Sequence, residues 1–374
     1  MDYGAIDLHK KDSQVRIMTA GGDVIDRRIA TTRERLTMLF WGRPHARILI
    51  EASTESEWVA QHLESLGHEV VVADPNYTLM YGHRSRRVKT DRRDVAALAD
   101  ACRHGIYRPA HRRSARQRTV QWQLTIRREL VATRTRAISV VRAITRHAGY
   151  RVASGMPERF LQRVTDLNLP HPIEETLSPV RKVAEVLDQE LAQADAQFEA
   201  LIADDPVVKR LTTCPSIGVI TATAFVAALD DVSRFAGRRG AAQVTSYLGL
   251  VPREYSSGEH QQRGRVMRSA HPYVQSLLVQ AAWRVRRSSD PRVAALRSWE
   301  QAIERRRGKK IAIVALARRL ARILYGCGET APTTSRRRFA RLSQWSAHSR
   351  RLHRVGPTRS SSWRSKRVDV PGRV

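Results

Sequence analysis

Short apolar runs alternate with amphipathic stretches over the first hundred or so residues of the chain, at the spacing of strands and helices. Tyr3–Leu8, Gln14–Met18 and Asp23–Ile29 read as three strands, and Gly21-Gly22-Asp23 supplies a hairpin turn between the last two. Thr31–Leu39 reads as a helix and Arg47–Glu51 as a buried strand. A second helix runs through Trp58–Leu66, and Glu69–Ala73 is a further strand ended by Asp74-Pro75-Asn76. An apolar run from Val95 to Ala99 then continues as a helix, which gives the order β-β-β-α-β-α-β-α. Strands alternating with helices imply a mixed sheet covered by helices.

Beyond this region the pattern turns helical. Arg112–Tyr150 is a strongly basic helix in which Leu124, Val131 and Ile138 recur every seven residues, with Val141 and Ile144 beyond. Arg127 and Arg134 interrupt that apolar seam, so it is not a clean coiled coil. Val183–Ile202 predicts a second helix with an apolar face of Val183, Leu187, Leu191, Ala194, Phe198 and Leu201. Asn168-Leu169-Pro170-His171-Pro172 lies between them as a hinge. An antiparallel hairpin, a dimerising stalk and core packing within one chain all fit these two helices.

Residues 211–330 read as a second compact unit. Cys214-Pro215-Ser216-Ile217-Gly218 resembles a helix-hairpin-helix turn, whose backbone amides suit a phosphate. Tyr273–Val285 and Ile311–Leu324 are amphipathic helices, with Ile311, Ala315, Leu316 and Leu320 expected to face the core. After Thr330, Arg, Ser and Thr dominate, which predicts a basic tail without fixed structure. The expected division is 1–110, an α/β domain; 111–205, a helical connecting stalk; 206–330, a mainly helical domain; and 331–374, the tail.

Charge narrows the function. A net charge of +30, from 66 Lys+Arg against 36 Asp+Glu, points to a polyanionic partner, above all nucleic acid. Cys102, Cys214 and Cys327 are scattered with no CxxC, which argues against a zinc or disulfide framework. The sequence shows neither the pattern of a signal peptide nor an apolar run of membrane-spanning length, so a cytoplasmic, nucleoid-associated protein is expected.

The candidate chemistry lies in four acids. Asp91 and Asp94 stand three residues apart at the head of the Val95 run, a spacing that puts both on one helix face. Asp7 sits inside the apolar segment Ala5–Leu8, and Glu51 ends the strand Arg47–Glu51. A charge at the edge of a buried strand is costly unless it is paired or binds a metal. Four converging carboxylates would make an oxygen-rich Mg²⁺ site, with Mn²⁺ as the other candidate. Asp91 taken alone also fits a helix N-cap. Lys89, Arg92 and Arg93 surround the pair.

A second candidate is the loop after Tyr247-Leu248-Gly249-Leu250-Val251-Pro252, where Ser256 and Ser257 precede Gly258 among Arg253, Arg263, Arg265 and Arg268. A serine attacks phosphorus only if its proton is removed and the incoming charge is stabilised, which arginines and a metal can do. Lys309 and Lys310, at the head of the last predicted helix, complete the expected nucleic-acid contacts.

The strand order matches the ribonuclease H-like fold, with the acids at that fold's catalytic places. With Ala5-Ile6-Asp7-Leu8-His9-Lys10, Lys89-Thr90-Asp91-Arg92-Arg93-Asp94 and Gly249–Gly258 followed by Arg263-Gly264-Arg265, the chain resembles the DEDD transposases of insertion sequences. This is the insertion-sequence one-ten family, which includes the pilin-gene invertase Piv. The likeness runs in order from residue 3 to about residue 325. It implies a RuvC-like domain with Asp7, Glu51, Asp91 and Asp94 as its four acids. It also implies a C-terminal serine that joins covalently to DNA, mapping to Ser257, with Ser256 the competing position. It further implies donor and target DNA as substrates, a structured bridge RNA as guide, and a homo-oligomer, dimer to tetramer, in which one protomer's acids face another's serine. Ser216 departs from the family's usual glycine, and Arg268-Ser269-Ala270-His271-Pro272 lacks its usual turn. Two rival readings are a RuvC-type structure-specific nuclease and an inactive DNA- or RNA-binding relative.

Overall fold

The computed structural model describes residues 1–81, 90–254, 263–266 and 271–328, apart from the side chains of Arg263 and Arg265. Two compact units divide the chain at Ser114 and Ala115.

The first unit is built on β1 (Asp2–Leu8), β2 (Asp12–Met18), β3 (Val24–Ala30), α1 (Arg33–Phe40), β4 (Ala46–Glu51), α2 (Ser56–Ser65), β5 (Glu69–Ala73) and α3 (Asp91–His104). The strands form one sheet in the order β3-β2-β1-β4-β5. β1, β2 and β3 pair antiparallel, whereas β4 and β5 run parallel to β1. This is the mixed sheet of the ribonuclease H-like order. The β2–β3 turn closes on Gly22, whose φ of 95° lies in the left-handed region that glycine tolerates.

Alternation along the strands sorts the core into two layers. Ile6, Leu8, Val15, Ile17, Ile48 and Ile50 point to one face, where Leu36 and Phe40 of α1 and Val59, Ala60 and Leu63 of α2 cover them. Ala5, Leu49 and Ala73 point to the other face, under Val95, Leu98, Ala99 and Cys102 of α3 and Met80 of a short 3₁₀ turn, Thr78–Tyr81. Each fully buried Leu or Ile contributes about 1.5–3 kcal/mol. Thr90 caps α3 by accepting from the Arg93 N–H, and Gly105 ends it in the left-handed conformation.

The second unit is helical. α4 (Ala115–His147), α5 (Phe160–Thr165) and α6 (His171–Ile202) come first, then α7 (Pro206–Thr212), α8 (Val219–Leu229) and α9 (Gly240–Tyr247). A two-stranded ribbon follows, β6 (Pro252–Glu254) with β7 (Arg263–Val266), before α10 (Pro272–Arg287), α11 (Ala294–Arg307) and α12 (Lys309–Gly328). α4 and α6 pack along each other as an antiparallel pair. The two arginines that break the apolar seam hold this pair. Arg127 bonds Asp195 and Arg134 bonds Asp188, the latter at 2.9 Å. A residue seven places further along α4 meets one seven places back along α6, which sets the antiparallel direction.

Several expectations are corrected. α6 begins at His171 rather than Val183, so the expected hinge is already helix start. Pro172 fits the first turn, where no N–H is needed, and Pro179 is accommodated inside the helix. Val183 is 53 % exposed, and the buried stripe runs instead through Leu177, Ala184, Leu187, Leu191, Ala194, Phe198 and Ile202. In α12 Ile311 is exposed, while Ala312, Ile313, Leu316, Ala317 and Leu320 are buried. Both shifts have one cause, because the packing partners select the stripe where the apolar pattern is wide enough to allow two.

The turn Cys214–Gly218 joins α7 to α8, and Ser216 in it has a φ of 68°. A side chain in the left-handed region costs about 1 kcal/mol or more, a strain that glycine would avoid. Ser216→Gly is therefore expected to stabilise the protein by about 1 kcal/mol, read as a higher denaturant midpoint at constant slope. An unchanged or lower midpoint would mean that the turn carries no strain at this position.

Candidate active site

β1 and β4 are parallel neighbours with Ile6 opposite Ile50, so Asp7 and Glu51 come next, side by side, where the ladder ends. The two-residue period sends both to the face that α3 covers, in line with Ala5 and Leu49. On α3 the buried stripe of Val95, Leu98 and Cys102 extends back one turn to Asp94 and Asp91. Helix and strand periodicity thus deliver the four acids to one place. Asp7, Glu51, Asp91 and Asp94 line a single open pocket of about 380 Å³, together with Leu8, His9, Ala52, Ser53, Tyr81 and Leu98.

The four acids are not equivalent. Asp94 is buried, Asp7 and Glu51 are half-buried, and Asp91 is exposed on the first turn of its helix. Thr90, not Asp91, is the N-cap of α3, which removes the capping explanation for Asp91. One oxygen each of Asp7 and Asp91 and a ring nitrogen of His9 lie within 4.8 Å of one another. Glu51 stands outside that cluster, where its Oε2 accepts a hydrogen bond from the Tyr81 hydroxyl.

Burial raises the pKa of Asp7 above the ordinary carboxylate value of 3.8; His9 opposes this, and Asp91, Asp94 and Glu51 add to it. Burial and the Glu51 carboxylate likewise push the Tyr81 hydroxyl well above its usual range. The pocket therefore gathers four carboxylates, with His9 as the counter-charge nearest Asp7. Four carboxylates gathered in this way fit a hard divalent cation.

The expected nucleic-acid residues have different fates. Arg92 donates to Asp26 at 3.2 Å, and Asp26 is also held by a two-pronged bond from Arg16 at 2.6 and 2.7 Å. Arg93 is exposed beside the pocket's acids. Arg253 is exposed on β6, and Arg263 and Arg265 lie on the backbone of β7. Lys309 sits over the Trp283 ring at 5.3 Å, and Lys310 is exposed in the first turn of α12. Lys89, Ser256, Ser257, Arg268 and the tail 331–374 lie outside the described residues. In sequence, the two serines fall between the paired strands β6 and β7.

The second unit has its own pocket, about 470 Å³, formed by the α7–α8 turn with Arg284 and Arg292 beside it. Backbone amides at the start of a helix, with arginines nearby, form an anion-binding arrangement.

His9 and Tyr81 escaped the sequence reading as site residues. His9 left a signal, since it lies two residues after Asp7, just past the end of β1. Tyr81 left none, because it reaches Glu51 across 30 residues of chain.

A ribonuclease H-like sheet with acids at the ends of its central strands and at the head of the covering helix defines a class of nucleic-acid-cutting enzymes. Within that class the chain belongs to the IS116/IS110/IS902 family of transposases, whose members cleave DNA and transfer strands. The model described as "Transposase IS116/IS110/IS902 family" matches residues 208–297, and a DEDD transposase model of the IS110 type matches residues 5–147. A probable family 20 transposase of Pseudomonas aeruginosa is 28 % identical over 326 residues, covering 86 % of this chain and 94 % of that protein. The transposase for insertion sequence element IS1328 of Yersinia enterocolitica is 24 % identical over 86 % of this chain and 94 % of its own length. The transposase for IS1111A of Coxiella burnetii is 27 % identical over 63 % of this chain and 66 % of its own. Among the described residues no helix is long and apolar enough to cross a membrane.

The raised pKa of Asp7 has a consequence for the metal-free protein. A carboxyl that holds its proton more tightly when folded makes the native state bind more protons than the unfolded one. Stability therefore falls as pH rises through the interval that begins at the ordinary value of 3.8 and ends at the raised one. Asp7→Asn is expected to melt above the wild type at neutral pH in chelator, and the gain should shrink toward pH 4. Equal melting temperatures at neutral pH would show that Asp7 bears no charge penalty.

Proposed function

We propose that this transposase cuts and rejoins DNA through Ser257, with Asp7, Glu51, Asp91 and Asp94 holding Mg²⁺ against the scissile phosphate. The observation that supports the metal half of this reading is the convergence of the four acids on one open pocket. A bound cation would supply charge neutralisation on the phosphate and lower the pKa of an attacking hydroxyl. Asp91, which is exposed, and Asp94, which is buried, would hold the cation from the helix side. Glu51, steadied by the Tyr81 hydroxyl, and Asp7 grip from the sheet side.

In the proposed reaction the Ser257 oxygen forms a bond to phosphorus as the bond from phosphorus to the 3′ oxygen breaks. The serine proton is lost and the 3′ oxygen leaves as a hydroxyl, gaining one. The phosphodiester energy stays in the serine–phosphorus link, so a 3′-hydroxyl of another strand can reverse the step without ATP. Arg253, Arg263, Arg265 and Arg268, close in sequence to the serine, and Lys309 and Lys310 bind backbone phosphates. Arg92 and Arg93 do so beside the acids, with Lys89 close to them in sequence. A chain of net charge +30 suits a second polyanion as well, the element-encoded guide RNA. The working form is a homo-oligomer, dimer to tetramer.

One observation favours a second reading. The acid pocket is complete within the first unit, as a hydrolytic nuclease of the RuvC type requires. There a water would attack and Ser257 would be dispensable.

Excision and insertion of the intact element in cells, scored by junction sequencing, separates the two. Ser257→Ala and Asp91→Asn are each expected to reduce junctions to background, while Ser256→Ala keeps them and all three proteins fold. Cleavage that survives Ser257→Ala would establish the nuclease instead, and full activity of Asp91→Asn would sink the metal role.

A further inference from the structure

The four acids are not the only donors in the pocket. His9 leaves the end of β1 and places its Nε2 3.7 Å from an Asp7 oxygen and 3.7 Å from an Asp91 oxygen. Neither separation is a hydrogen bond. Both suit donors arranged around a common centre. Atoms about 2.1 Å from an octahedral cation stand roughly 3 Å apart when adjacent and roughly 4 Å apart when opposed. The three donor atoms all lie within 4.8 Å of one another, inside the range that small side-chain rotations close. The His9 side chain is 55 % exposed, so apolar packing does not account for its position between two acids on different elements.

We propose that His9 is a further ligand of the divalent cation, giving the site a mixed oxygen and nitrogen donor set. This rests on reading the acid pocket as a metal centre, and adds a preference to it. Mg²⁺ takes oxygen ligands and keeps its waters, whereas first-row transition ions accept imidazole. His9 therefore tilts the site toward Mn²⁺. Its ring nitrogen stands by Asp7 on the strand and Asp91 on the helix, while Glu51 bonds to the Tyr81 hydroxyl.

The test uses the full chain, stripped with a chelator and titrated with Mn²⁺ under EPR, with Mg²⁺ as competitor. Wild type, His9→Ala, His9→Asn and Asp7→Asn are compared, and circular dichroism checks that each is folded. Wild type is expected to show one saturable Mn²⁺ site with nitrogen hyperfine modulation in pulsed EPR. His9→Ala is expected to lose the modulation and to bind Mn²⁺ about tenfold or more weakly. Its Mg²⁺ affinity should change much less, so that the preference between the ions falls. His9→Asn, which offers an oxygen, should also lose the modulation but retain Mg²⁺. A saturable site that Asp7→Asn abolishes, yet that shows no nitrogen modulation in wild type or is unchanged in His9→Ala, overturns the role of His9 and leaves the metal centre standing. Absence of any saturable site in folded wild type overturns both.

Discussion

Parallel pairing of β1 with β4 is the constraint on which the proposed chemistry depends. It fixes Asp7 beside Glu51 at the end of a ladder, and the apolar pairs behind them, Ala5 with Leu49 and Ile6 with Ile50, are fully buried. A one-residue slip of one strand against the other would turn its acid to the opposite face and part the pair. Burial raises the pKa of Asp7, and the neighbouring carboxylates add to that effect against His9. The sheet can hold them because β1 is its centre, bonded to β2 on one side and β4 on the other.

The charge of the chain looks different once its arginines are placed. Arg16 and Arg92 share Asp26, Arg112 spans Glu57 and Glu64, and Arg127 and Arg134 lock α4 to α6. Arg286 meets Glu300, which is fully buried in α11, and Glu304 one turn on. These arginines serve the fold and are matched by acids, and breaking a buried pair costs far more than breaking a surface one. Among the described residues, Arg93, Arg253 and Lys310 are cations exposed toward solvent. Helical packing in the second unit is close enough to specify single residues. A Cβ on Gly240 would lie 1.9 Å from the Phe235 carbonyl that the Tyr325 hydroxyl also contacts, so the start of α9, the helix before the serine motif, accepts no side chain there.

Sequence alone determined the strand and helix order of the first unit and the four acids at its pocket. Those follow from local periodicity, because a two-residue alternation and a three-residue helical step already decide which side chains share a face. It also determined the family, through three short motifs in a fixed order. Tertiary structure decided the rest. It chose the buried stripes of α6 and α12, where the apolar pattern allowed two and only the packing partners could select one. It turned the seam-breaking Arg127 and Arg134 into the bonds that orient a helical pair, and it showed that Ser216 occupies a conformation suited to glycine. It brought Tyr81 to Glu51 and set His9 between Asp7 and Asp91. Such contacts join residues distant in the chain, and no local pattern encodes the distance that folding removes.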